Sequence, residues 1–160
     1  MLDKSGVPTP EQIMSVFPDK KDLVKPHAII ECYEEIPCNP CETSCAFKAI
    51  TIGNNINAKP VIDIEKCSGC SICVTRCPGL AIMVVQLKGD KAIFKIPYEF
   101  LPVPKVGEIW SGVNRSGEVI CDALIENVKA DKKQNHTILV TAVVDEKYLY
   151  EFVTIRRKHE

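Results

Sequence analysis

Short apolar runs separated by polar and turn-forming residues fill the first half of the chain after residue 26. Runs of this length are typical of β-strands, and the four predicted strands are Ala28–Ile30, Ala49–Ile52, Val61–Ile64 and Ala81–Val85. No apolar run approaches the roughly 20 residues of a transmembrane helix. The N-terminal segment also lacks the apolar core of a signal peptide. We therefore expect a cytoplasmic protein that makes no membrane contact.

The N-terminal segment contains a helix-start signal. Thr9-Pro10-Glu11-Gln12 has the capping-box pattern, with proline at the first helical position. This pattern predicts a short helix that ends near Phe17. Residues 1–26 are otherwise rich in proline and lysine, and we expect them to form an N-terminal arm that carries this helix.

The pattern changes again in the second half of the chain. Gly89-Asp90 predicts a hairpin between Val84–Leu87 and Lys91–Ile96. Prolines at positions 97, 102 and 104 then indicate a boundary. Further strands are predicted at residues 108–110, 119–128, 137–144 and 152–155. Strands of this spacing indicate a small antiparallel β-barrel or sandwich over residues 98–160.

The cysteines follow a repeated pattern. Cys67-x2-Cys70-x2-Cys73-x3-Cys77-Pro78 has the spacing that binds iron–sulfur clusters in bacterial proteins. A second, imperfect copy begins at Cys38. A shift of 32 residues places Cys38, Cys41, Cys45, Ala49, Ile50 and Ile52 on Cys70, Cys73, Cys77, Ala81, Ile82 and Val84. The sequence therefore contains an internal repeat of one strand–loop–short helix–strand unit.

Composition and charge limit the kinds of cofactor and partner that we expect for this chain. The chain has 160 residues, nine cysteines and a formal net charge of −1. In a reducing compartment, cysteines in this number indicate metal ligands rather than disulfides. Two four-iron clusters with deprotonated ligands would bring the net charge to about −5. This charge argues against nucleic acid as a partner and favours a protein with a basic docking patch.

Over about residues 27–86 the sequence resembles the two-cluster bacterial ferredoxins, on the complete Cys67–Pro78 motif and its upstream copy. In that family the last cysteine of each motif binds the other cluster. The resemblance implies two [4Fe-4S] clusters, with Gly69 and Pro78 as further contacts. It assigns Cys67, Cys70, Cys73 and Cys45 to one cluster, and Cys38, Cys41 and Cys77 to the other. Gly69 fits a loop that requires positive φ and a close approach of the backbone to the metal group.

The fourth ligand of the second cluster departs from the family pattern. The 32-residue shift places Glu35, not a cysteine, opposite Cys67. We expect Cys32 to bind the remaining iron, because the longer loop that follows it gives it reach. The alternatives are a [3Fe-4S] cluster beside an unbound Cys32, or a carboxylate ligand from Glu35. Pro37 and the nearby glutamates also predict a lower reduction potential for this cluster.

The expected fold class is α+β. It comprises an arm over residues 1–26, a pseudo-twofold dicluster ferredoxin-like domain over residues 27–97, and the β-domain over residues 98–160. Zinc is a weaker alternative, because eight clustered cysteines in a duplicated pattern exceed what one zinc site needs. Cys121 lies outside both motifs and is expected to be a buried structural thiol.

The expected function is electron transfer, with no catalytic site and no nucleotide or flavin site on this chain. The arm and β-domain exceed what a free carrier needs. The layout resembles the small iron–sulfur subunits of FAD-dependent amino-acid or hydroxyproline-type dehydrogenase complexes. That resemblance implies a flavin-bearing partner subunit, a hetero-oligomer and a role in anaerobic metabolism. The alternatives are a free ferredoxin that serves several redox enzymes, and a non-redox module that its clusters merely stabilise.

Overall fold

The computed structural model describes residues 2–134 and 136–158, and within them it contains three short helices and nine strands. The helices are α1 (Pro10–Val16), α2 (Pro40–Ser44) and α3 (Ile72–Arg76). The strands are β1 (His27–Ile30), β2 (Ile50–Thr51), β3 (Val61–Ile62), β4 (Ile82–Lys88), β5 (Lys91–Tyr98), β6 (Ile109–Val113), β7 (Val119–Lys129), β8 (Ile138–Asp145) and β9 (Thr154–Arg156). Short 3-10 turns lie at Asp22–Val24, Lys132–Gln134 and Glu146–Tyr148.

The capping box at the start of α1 forms as the sequence predicts. The Gln12 backbone N–H donates to the Thr9 hydroxyl at 3.3 Å, and the Thr9 backbone N–H donates to Gln12 Oε1 at 2.8 Å. These two bonds satisfy donors that the first helical turn would otherwise leave unpaired. The predicted short helix is therefore confirmed, and it ends just before Phe17.

Most strands belong to one antiparallel sheet of seven strands in the order β1-β4-β5-β8-β7-β6-β9. The Gly89-Asp90 turn joins β4 to β5, so the predicted hairpin is confirmed. Strand β5 then pairs with β8 along its whole length, from Lys91 opposite Asp145 to Tyr98 opposite Ile138. The sheet thus runs without a break across the boundary expected after residue 97.

Pro97 lies inside β5 rather than in a linker. Pairing between β4 and β5 extends only as far as Val84 opposite Lys95, so the β4 side of β5 is free beyond Lys95. A proline there removes no hydrogen bond of the ladder to β4. Pro97, which the sequence indicated as part of a domain boundary, therefore lies just past the point where the β4 side of β5 becomes an unpaired edge.

Strands β1 and β4 form a wall between two hydrophobic cores. Alternate side chains of a strand point to opposite faces. On one face, Ile29, Met83 and Val85 join the core of the seven-stranded sheet. On the other, Ala28, Ile30, Ile82 and Val84 pack with Cys41, Cys73 and Val74. Burial on both faces explains why these two strands are nearly continuous apolar runs.

The core of the large sheet is rich in aromatic side chains. Phe94 and Phe152 are fully buried, with ring centroids 4.6 Å apart. Trp110 is buried and packs edge-on against Tyr98, with ring centroids 5.9 Å apart. Contacts of this kind add stability beyond the burial of their area. Trp110 is therefore a core residue of the large sheet.

The internal repeat of the sequence is matched by the strand pairing. Strand β1 pairs with β4, bringing Ile30 opposite Ile82, while β2 pairs with β3, bringing Ile50 opposite Ile62. A shift of 32 residues converts the first pair into the second. Helices α2 and α3 obey the same shift and pack against each other. The entry strand of each copy thus pairs with the exit strand of the other copy.

Among the described residues, no helix is long and apolar enough to cross a membrane.

Candidate iron–sulfur centre

Two cavities beside α2 and α3 are each lined by four cysteines. One, which we call the Cys67 site, is lined by Cys45, Cys67, Cys70 and Cys73. The other, which we call the Cys38 site, is lined by Cys32, Cys38, Cys41 and Cys77. Each site takes its most distant cysteine from the other copy of the repeat. Gly69 lines the Cys67 site and Pro78 lines the Cys38 site.

The short helices bring cysteines of one copy beside the other site. Cys41 lies on α2 and Cys73 on α3, and both are buried. Cys45 and Cys77 follow the last helical turn of α2 and α3, where the backbone becomes extended. Because each helix has barely more than one turn, the cysteine after it leaves in a new direction and reaches the neighbouring site.

The loop before α3 depends on two residues with positive φ. Gly69 has φ +67°, and Ser71 has φ +68°. A β-carbon at Gly69 would lie 2.5 Å from the backbone oxygen of Pro26. Glycine is therefore required twice over at this position, by its conformation and by the close approach of another segment. The sequence identified Gly69 for the first of these reasons only.

The corresponding loop before α2 cannot follow the same path. The 32-residue shift places Pro37 on Gly69, and the proline ring fixes φ near −65°. Asn39, which corresponds to Ser71, has φ −142° instead of a positive value. The loop that bears the ligands of the Cys38 site therefore begins at Cys32, three residues before Glu35, which corresponds to Cys67. Cys32 lines the Cys38 site, whereas Glu35 is exposed and is not part of its wall.

Backbone N–H groups reach three of the cysteine sulfurs. Ala49 N donates to Cys45 Sγ at 3.3 Å, and Ala81 N donates to Cys77 Sγ at 3.4 Å, as the repeat requires. Ala28 N also donates to Cys67 Sγ at 3.4 Å. Residue 60, which corresponds to Ala28, is a proline and has no N–H. Among the described residues, the Cys67 site therefore receives two such bonds and the Cys38 site receives one.

The buried thiols resist ionisation without a metal group. Burial raises the pKa of Cys73 to about 12, with further contributions from Cys67, Cys70 and Cys45. Burial likewise raises the pKa of Cys41 to about 11. The pKa of Cys32 is raised by burial and by Cys77 and Cys38. Four thiolates that line one cavity need a positively charged group to stabilise them, as cluster irons do.

The spacing within each site fits a polynuclear group. Within the described ranges, no three His, Cys, Asp or Glu side chains lie close enough to hold one metal ion. In a cubane each cysteine binds a different iron, so the four thiolates stand further apart than the ligands of a single ion. Each cavity thus supplies the four thiolates that a [4Fe-4S] cluster requires.

Three features near the sites were not identified from the sequence. Glu42 accepts a hydrogen bond from Ile52 N at 2.9 Å, which fixes its carboxylate beside α2. Arg115 binds Glu31 through two hydrogen bonds, and both side chains are largely buried. The Tyr33 hydroxyl is buried next to Glu31. Arg115 and Glu31 lie 84 positions apart, so local sequence patterns gave no signal for their pairing.

Cys121 belongs to neither site. It lies on β7, half-buried, and burial raises its thiol pKa to about 11. A β-carbon at Gly112 on the adjacent strand would lie 2.6 Å from its sulfur. These contacts agree with the predicted structural role.

Comparison with known proteins identifies the cysteine motif. Residues 60–83 match the 4Fe-4S binding domain family. Over 96 residues the chain is 29% identical to the polyferredoxin-like subunit of an aliphatic sulfonate oxidoreductase from Pyrococcus furiosus, covering 58% of this chain and 51% of that protein. Over 105 residues it is 33% identical to an uncharacterised ABC transporter ATP-binding protein from Methanocaldococcus jannaschii, covering 56% and 17% respectively.

The chain thus spans about half or less of the length of these curated relatives. No solved structure matches it. The family match over residues 60–83 includes the complete motif from Cys67 to Pro78. Residues 60–83 are therefore similar to 4Fe-4S binding domains, and this match together with the polyferredoxin-like relative supports iron–sulfur chemistry at the cysteine motif.

Proposed function

We propose that this chain transfers electrons through two [4Fe-4S] clusters, as the small iron–sulfur subunit of a multi-subunit, flavin-dependent oxidoreductase of the cytoplasm. The observation that carries the proposal is the pair of four-cysteine cavities, each completed by a cysteine from the other copy of the repeat. The polyferredoxin-like relative is named as an oxidoreductase subunit, which supports the assignment to a complex.

The protein supplies ligands, burial and hydrogen bonds. Cys45, Cys67, Cys70 and Cys73 would hold one cluster, and Cys32, Cys38, Cys41 and Cys77 the other. Each cluster, when bound, supplies one-electron redox chemistry. The backbone N–H groups of residues 28, 49 and 81 stabilise charge on the sulfurs. Because α2 and α3 pack against each other, the two sites are adjacent and electrons can pass between them.

The Cys67 site is the more accessible end of this pathway. Cys70 is exposed, whereas the cysteines of the Cys38 site are buried or only partly exposed. Phe47 and Ile72 also line the Cys67 site, and about half of each side chain is exposed. An exposed ligand with apolar neighbours is suited to contact with a partner subunit. We therefore place the contact with the flavin-bearing subunit at Phe47, Cys70 and Ile72.

Anaerobic purification from native cells tests the proposed role. We expect a flavoprotein to co-purify in fixed stoichiometry, and the substrate of that flavoprotein to reduce the clusters of the intact complex. Phe47→Asp should release the partner while leaving the clusters in place, whereas Ile56→Asp, at a half-exposed isoleucine in a loop outside the Cys67 site wall, should not.

Two other outcomes distinguish the alternatives. A stable monomer that exchanges electrons with several enzymes would support the free ferredoxin instead. Clusters that resist reduction at physiological potentials would support a non-redox module stabilised by its metal groups. Either result would overturn the proposed role as a subunit.

A further inference from the structure

A third cavity lies behind the wall of the Cys38 site. Its volume is about 260 Å³, just below the roughly 300–1,000 Å³ of pockets for drug-sized ligands. Its lining is mainly apolar and comes from the N-terminal arm, the start of β4, the end of β5 and the segment before β9. These residues include Leu2, Pro8, Leu80, Met83, Pro97 and Val153. A compound of one or two fused rings fits this volume.

The cavity has one polar end. Tyr33 is 9% exposed, and its hydroxyl makes no hydrogen bond of acceptable geometry to any described residue, although Glu31 lies nearby. Both oxygens of the Glu31 carboxylate are already bound by Arg115. A buried hydroxyl without a partner loses free energy. A ligand atom that accepts a hydrogen bond would supply the missing partner.

The charge at this end of the cavity favours a neutral ligand. Arg115 and Glu31 neutralise each other, and Arg115 also donates to the backbone oxygen of Tyr150 at 2.7 Å. The pair is therefore committed to the fold rather than free to bind an ion. A neutral ring with a carbonyl acceptor matches both the apolar walls and the Tyr33 hydroxyl.

The cavity and the Cys38 site share a wall. Ala81 and Ile82 line both of them. Ala81 also donates its backbone N–H to Cys77 Sγ at 3.4 Å, so one residue touches both the cavity and a cluster ligand. Tyr33 directly follows Cys32 in the chain. Only a single layer of residues therefore separates the cavity from the Cys38 site.

We propose that this cavity binds a small quinone, with a carbonyl oxygen accepting a hydrogen bond from Tyr33, and that the quinone is reduced by the clusters. The redox part of this inference rests on the proposed function. Reduction to the quinol consumes two electrons, one from each reduced cluster, and two protons from solvent. Both clusters return to their oxidised state in the process.

Binding of menadione to the oxidised, cluster-loaded protein tests the site without any electron transfer. Equilibrium dialysis should give saturable binding of one menadione per chain. Val153→Phe enlarges a side chain that lines the cavity and should weaken binding about tenfold or more, as loss of a fitted contact does. Val119→Phe introduces the same change at an exposed position on β7 and should leave binding unchanged.

Tyr33→Phe removes the hydroxyl alone and should weaken menadione binding several-fold, while Tyr148→Phe, outside the cavity, should not. Binding of 2-methylnaphthalene, which has no carbonyl, should be insensitive to Tyr33→Phe. Non-saturable menadione binding, or equal binding by wild type and Val153→Phe with unchanged cluster spectra, would overturn the site.

Stopped-flow oxidation of the reduced protein by menadione tests the redox step. The rate should saturate with menadione concentration and fall in Val153→Phe. Reducible clusters in a protein that binds no menadione would overturn this inference and leave the proposed function intact. If the protein binds menadione but its clusters cannot be reduced, both the proposed function and the reduction of the quinone would be overturned.

Discussion

At the scale of single residues, the two sites differ in the hydrogen bonds they receive. Ala28 N–H reaches Cys67, while Pro60 at the corresponding position has no N–H to give. Hydrogen bonds to cluster sulfurs stabilise the reduced, more negative state and raise the potential. The sequence predicted the same order from Pro37 and from the glutamates near the Cys38 site.

We therefore expect the cluster of the Cys67 site to have the higher reduction potential. A potentiometric titration followed by EPR measures both potentials. The variant Cys67→Ser assigns the two EPR signals to the two sites, because it should perturb the higher-potential signal and not the lower-potential one. Equal potentials, or a perturbation of the lower-potential signal by this variant, would contradict the expected order.

The fourth ligand of the Cys38 site gives a second prediction. Cys32 lines the site and Glu35 is exposed. Cys32→Ser should therefore remove or convert one cluster and leave the EPR signal of the other unchanged. Glu35→Gln is the matched control and should leave both clusters intact. If the two variants had the opposite effects, the carboxylate alternative would be correct.

Gly69 gives a third prediction at this scale. Gly69 and Gly53 both have positive φ, but only at Gly69 would a β-carbon strike another segment, 2.5 Å from Pro26 O. Gly53→Ala should cost roughly 1–2 kcal/mol, the cost of the left-handed conformation. Gly69→Ala should cost more and should also lower the iron content. Urea unfolding and iron analysis measure both effects, and equal losses in the two variants would show that Pro26 yields.

At the scale of the elements, one buried ion pair ties the two ends of the large sheet together. Glu31 follows β1, and Arg115 lies in the turn between β6 and β7. Their side chains are 11% and 7% exposed, respectively, and Arg115 also binds the backbone oxygens of Tyr150 and Glu151. Loss of one partner would leave a buried charge uncompensated.

Arg115→Ala should therefore lower the free energy of unfolding by about 3–5 kcal/mol. Lys20→Ala removes the exposed pair between Lys20 and Glu146 and should cost less than about 1 kcal/mol. Denaturant unfolding of the two variants under anaerobic conditions provides the comparison. A similar small cost for both would mean that Glu31 finds other partners or takes up a proton.

The local features of this molecule could be predicted from the sequence, because they depend on neighbouring residues. The α1 capping box, the Gly89-Asp90 hairpin and the cysteine spacing are all of this kind. The pairing of β5 with β8 joins residues about 40 to 54 positions apart, and Arg115 meets Glu31 across 84. Such contacts depend on how the sheet curves, which alternation of apolar residues does not specify.

Proline was the most misleading local signal. Pro97 indicated a boundary, yet it lies in β5 at the point where one side of the strand becomes free. The sequence linked Pro37 to a lower reduction potential and assigned no role to Pro60, but Pro37 also alters the path of the first cysteine loop and Pro60 removes a backbone donor. For Pro97 and Pro60 the effect depends on the neighbour that the missing N–H would have faced, and for Pro37 it depends on the fixed φ of the ring.

At the scale of the whole molecule, the β1–β4 wall organises the chain. One of its faces belongs to the core of the large sheet and the other packs against the cysteine-bearing helices. The two cysteine sites are therefore supported by a surface that is buried on both faces. On this account the second half of the chain stabilises the sites and presents them to a partner.

The number of reducible clusters tests the central claim most directly. Anaerobically purified protein should contain about eight irons and eight sulfides per chain, as two four-iron clusters require. Reduction with dithionite should give an EPR signal that integrates to about two spins per chain, one for each cluster. About four irons and a single spin, or eight irons with no reducible signal, would contradict the account.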